Sequence, residues 1–171
     1  WGTPLPVWIC EKCGQQHCIG SIEEMNALKT KDSPSPKELH RPYVDDVKLH
    51  CSSENCDGLM VREPYVMDCW FDSGCASFAQ WHYPFENEDK FKGSFPVDYI
   101  CEAVDQTRGW FYSLLAVSTT VFDSICYNRC LSLGHILDSE GKKMSKSKGN
   151  VVNPWDHFNK EGTDAIRWYM T

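Results

Sequence analysis

The sequence predicts an α/β fold, a parallel-sheet unit interrupted by a cysteine-rich insert, and three observations predict it. A β-prone run at about 95–101 precedes an apolar helical pattern, and a second β-prone run follows at about 130–137. Strand, helix and strand joined by short links form a βαβ unit with parallel strands and a right-handed crossover. From Ile9 to about Arg62 the composition turns polar and cysteine-bearing, with Ser33-Pro34-Ser35-Pro36 as a loop. That segment has too few apolar residues for a core of its own, so a staple other than burial is expected. Elsewhere the 42% hydrophobic and 13% aromatic content of the 171 residues suffices for a packed core.

The organisation expected is a Pro-rich return into the core at 1–8, an insert at 9–62, the α/β unit at 63–150, and a helical segment beginning at 151–171. Residues 64–83 are aromatic again, with Trp70, Phe71, Phe78, Trp81 and Tyr83. Asp105 is placed to cap a helix running to about Phe122, because Trp110, Phe111, Leu114, Leu115 and Val121 follow at helical spacing. The second strand leads into a loop from Gly141 to Gly149. Asn153-Pro154 opens a further helix, and 164–170 begins another. No internal repeat is visible.

Composition excludes several classes. No run of 18 apolar residues occurs, so no membrane span is expected. A net charge of −7 argues against coating a duplex. The charge is uneven: Lys142, Lys143, Lys146 and Lys148 cluster on an otherwise acidic chain, which suits a small polyanion such as a nucleotide. The opening Trp1-Gly2-Thr3-Pro4-Leu5-Pro6 has neither a signal-peptide pattern nor an initiating methionine, so the chain is expected to begin inside a longer protein.

Ten cysteines invite a disulfide reading, yet their spacing favours metal. Cys10 and Cys13 form a CxxC, and Cys51 and Cys56 a CxxxxC, each with a glycine just after it (Gly14, Gly58). Two such knuckles make a closed, structural four-thiolate Zn2+ site, which would help fold the insert. His17 or Cys18 could replace a ligand, since the second pair is longer than usual. Most of the remaining cysteines read as small buried hydrophobes in a reducing compartment, the cytoplasm.

The most specific signal is Gly141-Lys142-Lys143-Met144-Ser145-Lys146-Ser147-Lys148-Gly149-Asn150. Two ammonium groups on a glycine-hinged loop suit a developing phosphate charge, and the Ser145 and Ser147 hydroxyls add donors. Lys143 to Ser147 resembles the KMSKS hallmark of class I aminoacyl-tRNA synthetases. Tyr99 to Phe111, reading YICEAVDQTRGWF, is similar to the isoleucyl enzymes of that class, as are Asp68-x-Trp70-Phe71-Asp72-Ser73-Gly74 and the opening WGTPLPVW. The resemblance covers essentially the whole chain, and its details are similar to the archaeal and eukaryotic-like branch.

The resemblance implies the second half of a Rossmann-type nucleotide-binding domain with an inserted zinc ribbon and the start of a stem-contact segment. The implied reaction is activation of isoleucine by ATP with Mg2+ and transfer to tRNA(Ile). By resemblance Lys143 and Lys146 are catalytic; Glu102, Asp105, Gln106, His135, Met144, Ser145 and Ser147 contact ATP or the adenylate; and Trp70, Gln106 and Trp110 form the amino-acid pocket. Gly134-His135-Ile136-Leu137 only partly matches the class's HIGH hallmark and reads instead as a strand end approaching adenine. The HIGH half, the editing domain and the anticodon-binding region are expected elsewhere, so full activity is not expected of these residues alone. Ala103, where glycine is usual, and Lys148, where leucine is common, depart from the pattern without removing a catalytic group. Two rival readings are a valyl or leucyl enzyme and a zinc-stapled binding module that performs no chemistry.

Overall fold

The computed structural model describes residues 2–170. The insert is a four-stranded antiparallel sheet of β1 (Val7–Cys10), β2 (Gln16–Cys18), β3 (Leu49–His50) and β4 (Leu59–Arg62), in the order β2-β1-β4-β3. A short helix, α1 (Ile22–Leu28), is capped by Ser21, whose hydroxyl accepts the Glu24 N–H. The boundary expected between residues 8 and 9 falls inside β1.

The expectation that this segment cannot form its own core is corrected. Trp8, Val47, Leu49 and Met60 are 2% exposed or less and pack with Cys10, Ile19, Met25 and Val44. Fully burying one such side chain contributes about 1.5–3 kcal/mol. Trp8 also donates its Nε1–H to the Val47 carbonyl at 2.8 Å. The apolar residues are few, but chain segments far apart bring them to one place.

Beyond the insert come α2 (Cys69–Gly74), α3 (Ala76–Ala79), α4 (Glu88–Ser94), β5 (Ile100–Ala103), α5 (Trp110–Phe122) and β6 (Cys130–Leu133). β5 and β6 pair in parallel, with Ile100 opposite Cys130 and Ala103 opposite Leu133, and α5 is their crossover. The first strand begins later than expected: Val97 makes one bridge to Tyr127, and the continuous ladder starts at Ile100. Phe95 instead joins an aromatic cluster, 4.9 Å from Phe91 and 5.0 Å from Phe122 between ring centroids. The second strand is also shorter, ending at Leu133 rather than near residue 137.

The helix expected to start at Asp105 is two elements. Residues Val104–Arg108 form a 3₁₀ turn, Gly109 breaks it, and α5 starts at Trp110. Asp105 makes no capping hydrogen bond. The buried face of α5 carries Phe111, Ser113, Leu114, Val117 and Ser118, while Leu115 and Val121 face outward. Gly74 lets α2 approach α5 closely: a Cβ there would lie 2.8 Å from the Ser113 carbonyl oxygen and 3.0 Å from Val117 Cγ2. A 3₁₀ turn at Lys146–Lys148 and the helices α6 (Pro154–Glu161) and α7 (Thr163–Tyr169) complete the order. Asn153 caps α6 through its side-chain oxygen, as its sequence predicts. Among the described residues no helix is long and apolar enough to cross a membrane.

Candidate active site and metal centre

The four cysteines of the two knuckles converge. The Sγ atoms of Cys10, Cys13, Cys51 and Cys56 lie within 4.8 Å of one another. Cys10 to Cys56 is 3.7 Å and Cys13 to Cys51 is 3.6 Å. Tetrahedral Zn2+ with bonds of about 2.3 Å sets sulfur pairs about 3.8 Å apart, so the cluster fits that ion. The backbone N–H groups of Ser53 and Gly58 point at Cys51 and Cys56 sulfurs, at 3.5 and 3.4 Å, and stabilise thiolates there. Gly58 has to be glycine, because a Cβ would stand 2.6 Å from Cys10 Sγ.

Four crowded thiols do not ionise alike on their own. The backbone N–H of Gln15, aided by neighbouring thiols, draws Cys13 down to about 6. At Cys56 the Gly58 N–H pulls the same way, but desolvation and the surrounding thiols prevail and push it up to about 12. His17 lies outside the cluster: its Nε2 is 2.8 Å from Glu24 Oε1. Cys18 is exposed and is also not among the clustered sulfurs.

A second constellation forms where β5 and β6 end. Parallel register puts Glu102 and Ala103 beside Ser132 and Leu133, so the turn after β5 and Gly134-His135 after β6 leave the sheet at one edge. In open α/β sheets the carboxyl ends of strands form the ligand crevice. Glu102 and Asp105 are exposed there, and neither carboxylate has a hydrogen bond or ion pair among the described residues. Gln106 is half-buried, and its Oε1 accepts the Trp110 N–H at 2.8 Å. Trp110 donates its indole N–H to the Ser73 carbonyl at 3.1 Å, which ties the start of α5 to α2. Trp70, at the start of α2, lies over Gly109: a Cβ there would be 3.1 Å from its Cη2 and 2.6 Å from Gln106 Oε1. Trp70, Gln106, Gly109 and Trp110 therefore make one packed corner, with Trp70 still 45% exposed.

The lysine-rich segment folds as a hairpin. Leu137 bridges Lys143, and Asp138 exchanges backbone hydrogen bonds with Lys142 and Gly141. Gly141 and Gly149 have φ of +75° and +67°, the left-handed region that glycine occupies without strain. Lys142 pairs with Glu140. The ammonium groups of Lys143 and Lys146 have no hydrogen bond or ion pair among the described residues, and both residues are exposed. Ser145 and Ser147 hydroxyls lie 3.2 Å apart, and Met144 is half-buried. No hydrogen bond among the described residues joins this hairpin to Glu102, Asp105 or Gln106. Sequence reasoning missed Asp138 and Asn150, whose side chains bridge the hairpin base at 2.7 Å. Their type and their flanking of the glycines were the available signal.

Comparison with known proteins agrees with these features. The family model of class I tRNA synthetases (I, L, M and V) matches residues 1–171. The isoleucine–tRNA ligase of Clostridium novyi (strain NT) is 59% identical over 99% of this chain. Those of Clostridium acetobutylicum and Thermus thermophilus are 56% and 54% identical over the same share. The chain spans 16% of the length of each of these relatives. The crystal structure of the ternary complex of Agrobacterium radiobacter K84 agnB2 LeuRS-tRNA-LeuAMS has a TM-score of 0.65 at 21% identity. It covers 99% of this chain and 22% of that one, a likeness of fold. A family model matched from end to end, over a parallel βαβ unit and a cysteine-bearing insert, makes this chain a member of the class I tRNA synthetases.

Proposed function

We propose that the chain is the KMSKS-bearing half of the Rossmann-type domain of an isoleucine–tRNA ligase, with a zinc ribbon inserted before it. The observation that carries the reading is the pair of exposed, unpartnered ammonium groups of Lys143 and Lys146 on a hairpin between glycine hinges. Identity of 54–59% to isoleucine–tRNA ligases supports the choice of amino acid. Substrates are isoleucine, ATP carrying Mg2+ on its phosphates, and tRNA(Ile).

In the first step a carboxylate oxygen of isoleucine bonds to the α-phosphorus while the bond to the bridging oxygen of pyrophosphate breaks. Negative charge grows on the leaving group, and Lys143 and Lys146 stabilise it more in the transition state than in the ground state. Glu102 and Asp105 offer carboxylates to the ribose and to the ammonium of isoleucine. Gln106 has its carbonyl committed to Trp110, so its amide N–H groups are the ones available to the adenylate. Trp70 and Trp110 bound the side-chain pocket, and His135 lies at the strand end facing adenine. In the second step a terminal hydroxyl of the tRNA attacks the acyl carbon and AMP leaves. Zn2+ held by Cys10, Cys13, Cys51 and Cys56 supplies structural cross-linking and takes no part in the chemistry.

The test is amino-acid-dependent pyrophosphate exchange by the full-length protein, with Lys146→Ala beside it. Isoleucine should be the preferred substrate, with valine roughly 10² lower in kcat/KM, a ratio carried over from isoleucyl enzymes themselves rather than obtained from this geometry. Lys146→Ala should lower kcat about 10²–10³-fold, the usual cost of losing a donor to a developing anion. Preference for valine or leucine would overturn the amino-acid assignment. No exchange with any amino acid would leave a binding module.

A further inference from the structure

The hairpin that presents the two lysines is closed by side chains outside the five hallmark residues. Asn150 donates its Nδ2–H to Asp138 Oδ2 at 2.7 Å and, more weakly, to the Lys143 carbonyl at 3.4 Å. Its Oδ1 accepts the Ser145 N–H at 2.9 Å. The other Asp138 oxygen accepts the N–H groups of Lys142 at 2.8 Å and Glu140 at 3.0 Å. One carboxylate thus holds the turn that precedes Lys143, and one amide holds the backbone between Lys143 and Lys146. Asn150, and to a smaller degree the Lys142 and Glu140 N–H groups, hold the Asp138 carboxyl below its usual range.

We propose that Asp138 and Asn150 are positioning residues that latch the 138–150 hairpin into one rigid unit, so that Lys143 and Lys146 move and close together on the leaving pyrophosphate. The proposal rests on the catalytic reading of those lysines given above. Its physical basis is that both conformationally free glycines, Gly141 and Gly149, lie within the ring closed by the latch. Without the latch those glycines let each lysine wander separately, and the two charges lose their common geometry. Positioned charges act on a transition state only while their spacing is maintained.

The polarity of the latch gives a test that a merely structural role would fail. Asn150→Asp sets carboxylate against carboxylate, and Asp138→Asn sets amide N–H against amide N–H. The double swap, Asp138→Asn with Asn150→Asp, restores a donor facing an acceptor and keeps acceptors for the backbone N–H groups of Lys142, Glu140 and Ser145, losing only the weaker bond to the Lys143 carbonyl. In the full-length protein each single variant should lower kcat for isoleucine-dependent pyrophosphate exchange by roughly ten- to a hundredfold, the scale of a lost charged hydrogen bond. KM for isoleucine should stay within about twofold, as expected for an interaction expressed in the transition state. The double swap should recover most of kcat. Singles within about twofold of the parent, or a swap no better than the singles at equal melting temperature, would overturn the latch. Lys146→Ala separates the two ideas. If it alone leaves kcat unchanged the lysine reading fails, and if it slows exchange while the latch variants do not, only the latch fails.

Discussion

The side-chain carbonyl of Gln106 accepts the backbone N–H of Trp110 at 2.8 Å and so caps α5 from within the preceding 3₁₀ turn. On the function proposed above, this residue has two separable tasks, one for the helix and one for the ligand. Gln106→Ala removes both and should cost about 1 kcal/mol of stability, the usual value of a cap. Gln106→Glu keeps an acceptor, favourably charged at a helix N-terminus, but removes the amide N–H groups. It should melt like the parent in thermal denaturation and still raise KM for isoleucine in pyrophosphate exchange. Equal KM values for parent and Gln106→Glu would remove the ligand role.

Gly109 is the joint of that corner. Gly109→Ala adds a Cβ 2.6 Å from Gln106 Oε1 and 3.1 Å from Trp70 Cη2, so both side chains have to move. Overpacking of this kind typically costs about 1–3 kcal/mol. The expected outcome is a lowered melting temperature together with weaker isoleucine binding, because the cap and the proposed pocket wall shift at once. Unchanged values of both would show that the corner is looser than its contacts indicate.

Purified without chelators, the protein should hold one Zn2+ per chain by elemental analysis. Cys13→Ser removes a ligand and Gly58→Ala crowds the Cys10 sulfur, so both should lose the metal and destabilise the insert. Cys126→Ser should keep it, since Cys126 is buried beside α5 and its thiol faces the Leu114 carbonyl at 3.5 Å. A zinc-free parent protein would sink this assignment, whereas metal retained by Cys13→Ser would redraw the ligand set.

Arg62 binds the insert to the chain that enters and leaves it. Its side chain, 1% exposed, pairs with Asp45 and donates to the carbonyls of Leu5 and Tyr65 at 3.1 and 3.0 Å. Arg62→Met fills much of the space but abandons Asp45 and two carbonyls. Breaking a buried pair from one side typically costs about 3–5 kcal/mol. Chemical denaturation of the zinc-loaded protein should show a loss on that scale. A loss below about 1 kcal/mol would mean that water replaces the guanidinium at little cost.

The sequence by itself determined the features that are local or that repeat a ligand's geometry. Two cysteine pairs on tight turns announce a four-thiol cluster because ligand-like spacing within each pair turns both sulfurs to one side, and the four sulfurs do converge. The lysines of the 143–147 run, the Asn153-Pro154 cap and the parallel order of β5 and β6 are legible for the same reason: each is encoded within one short stretch or one connection. Only the tertiary structure decided what distant residues do for one another. Trp8 looks like an opening loop residue until Val47 meets it 39 positions later and the insert acquires a core. Asp105 has the right chemistry to cap α5, yet Gln106 takes that task because the chain tightens into a 3₁₀ turn and breaks at a glycine packed under Trp70. Asp138 and Asn150 are ordinary polar residues in sequence, and the hairpin makes them partners. A hydrogen bond between side chains depends on where two backbones come to rest, and composition and periodicity do not specify that position.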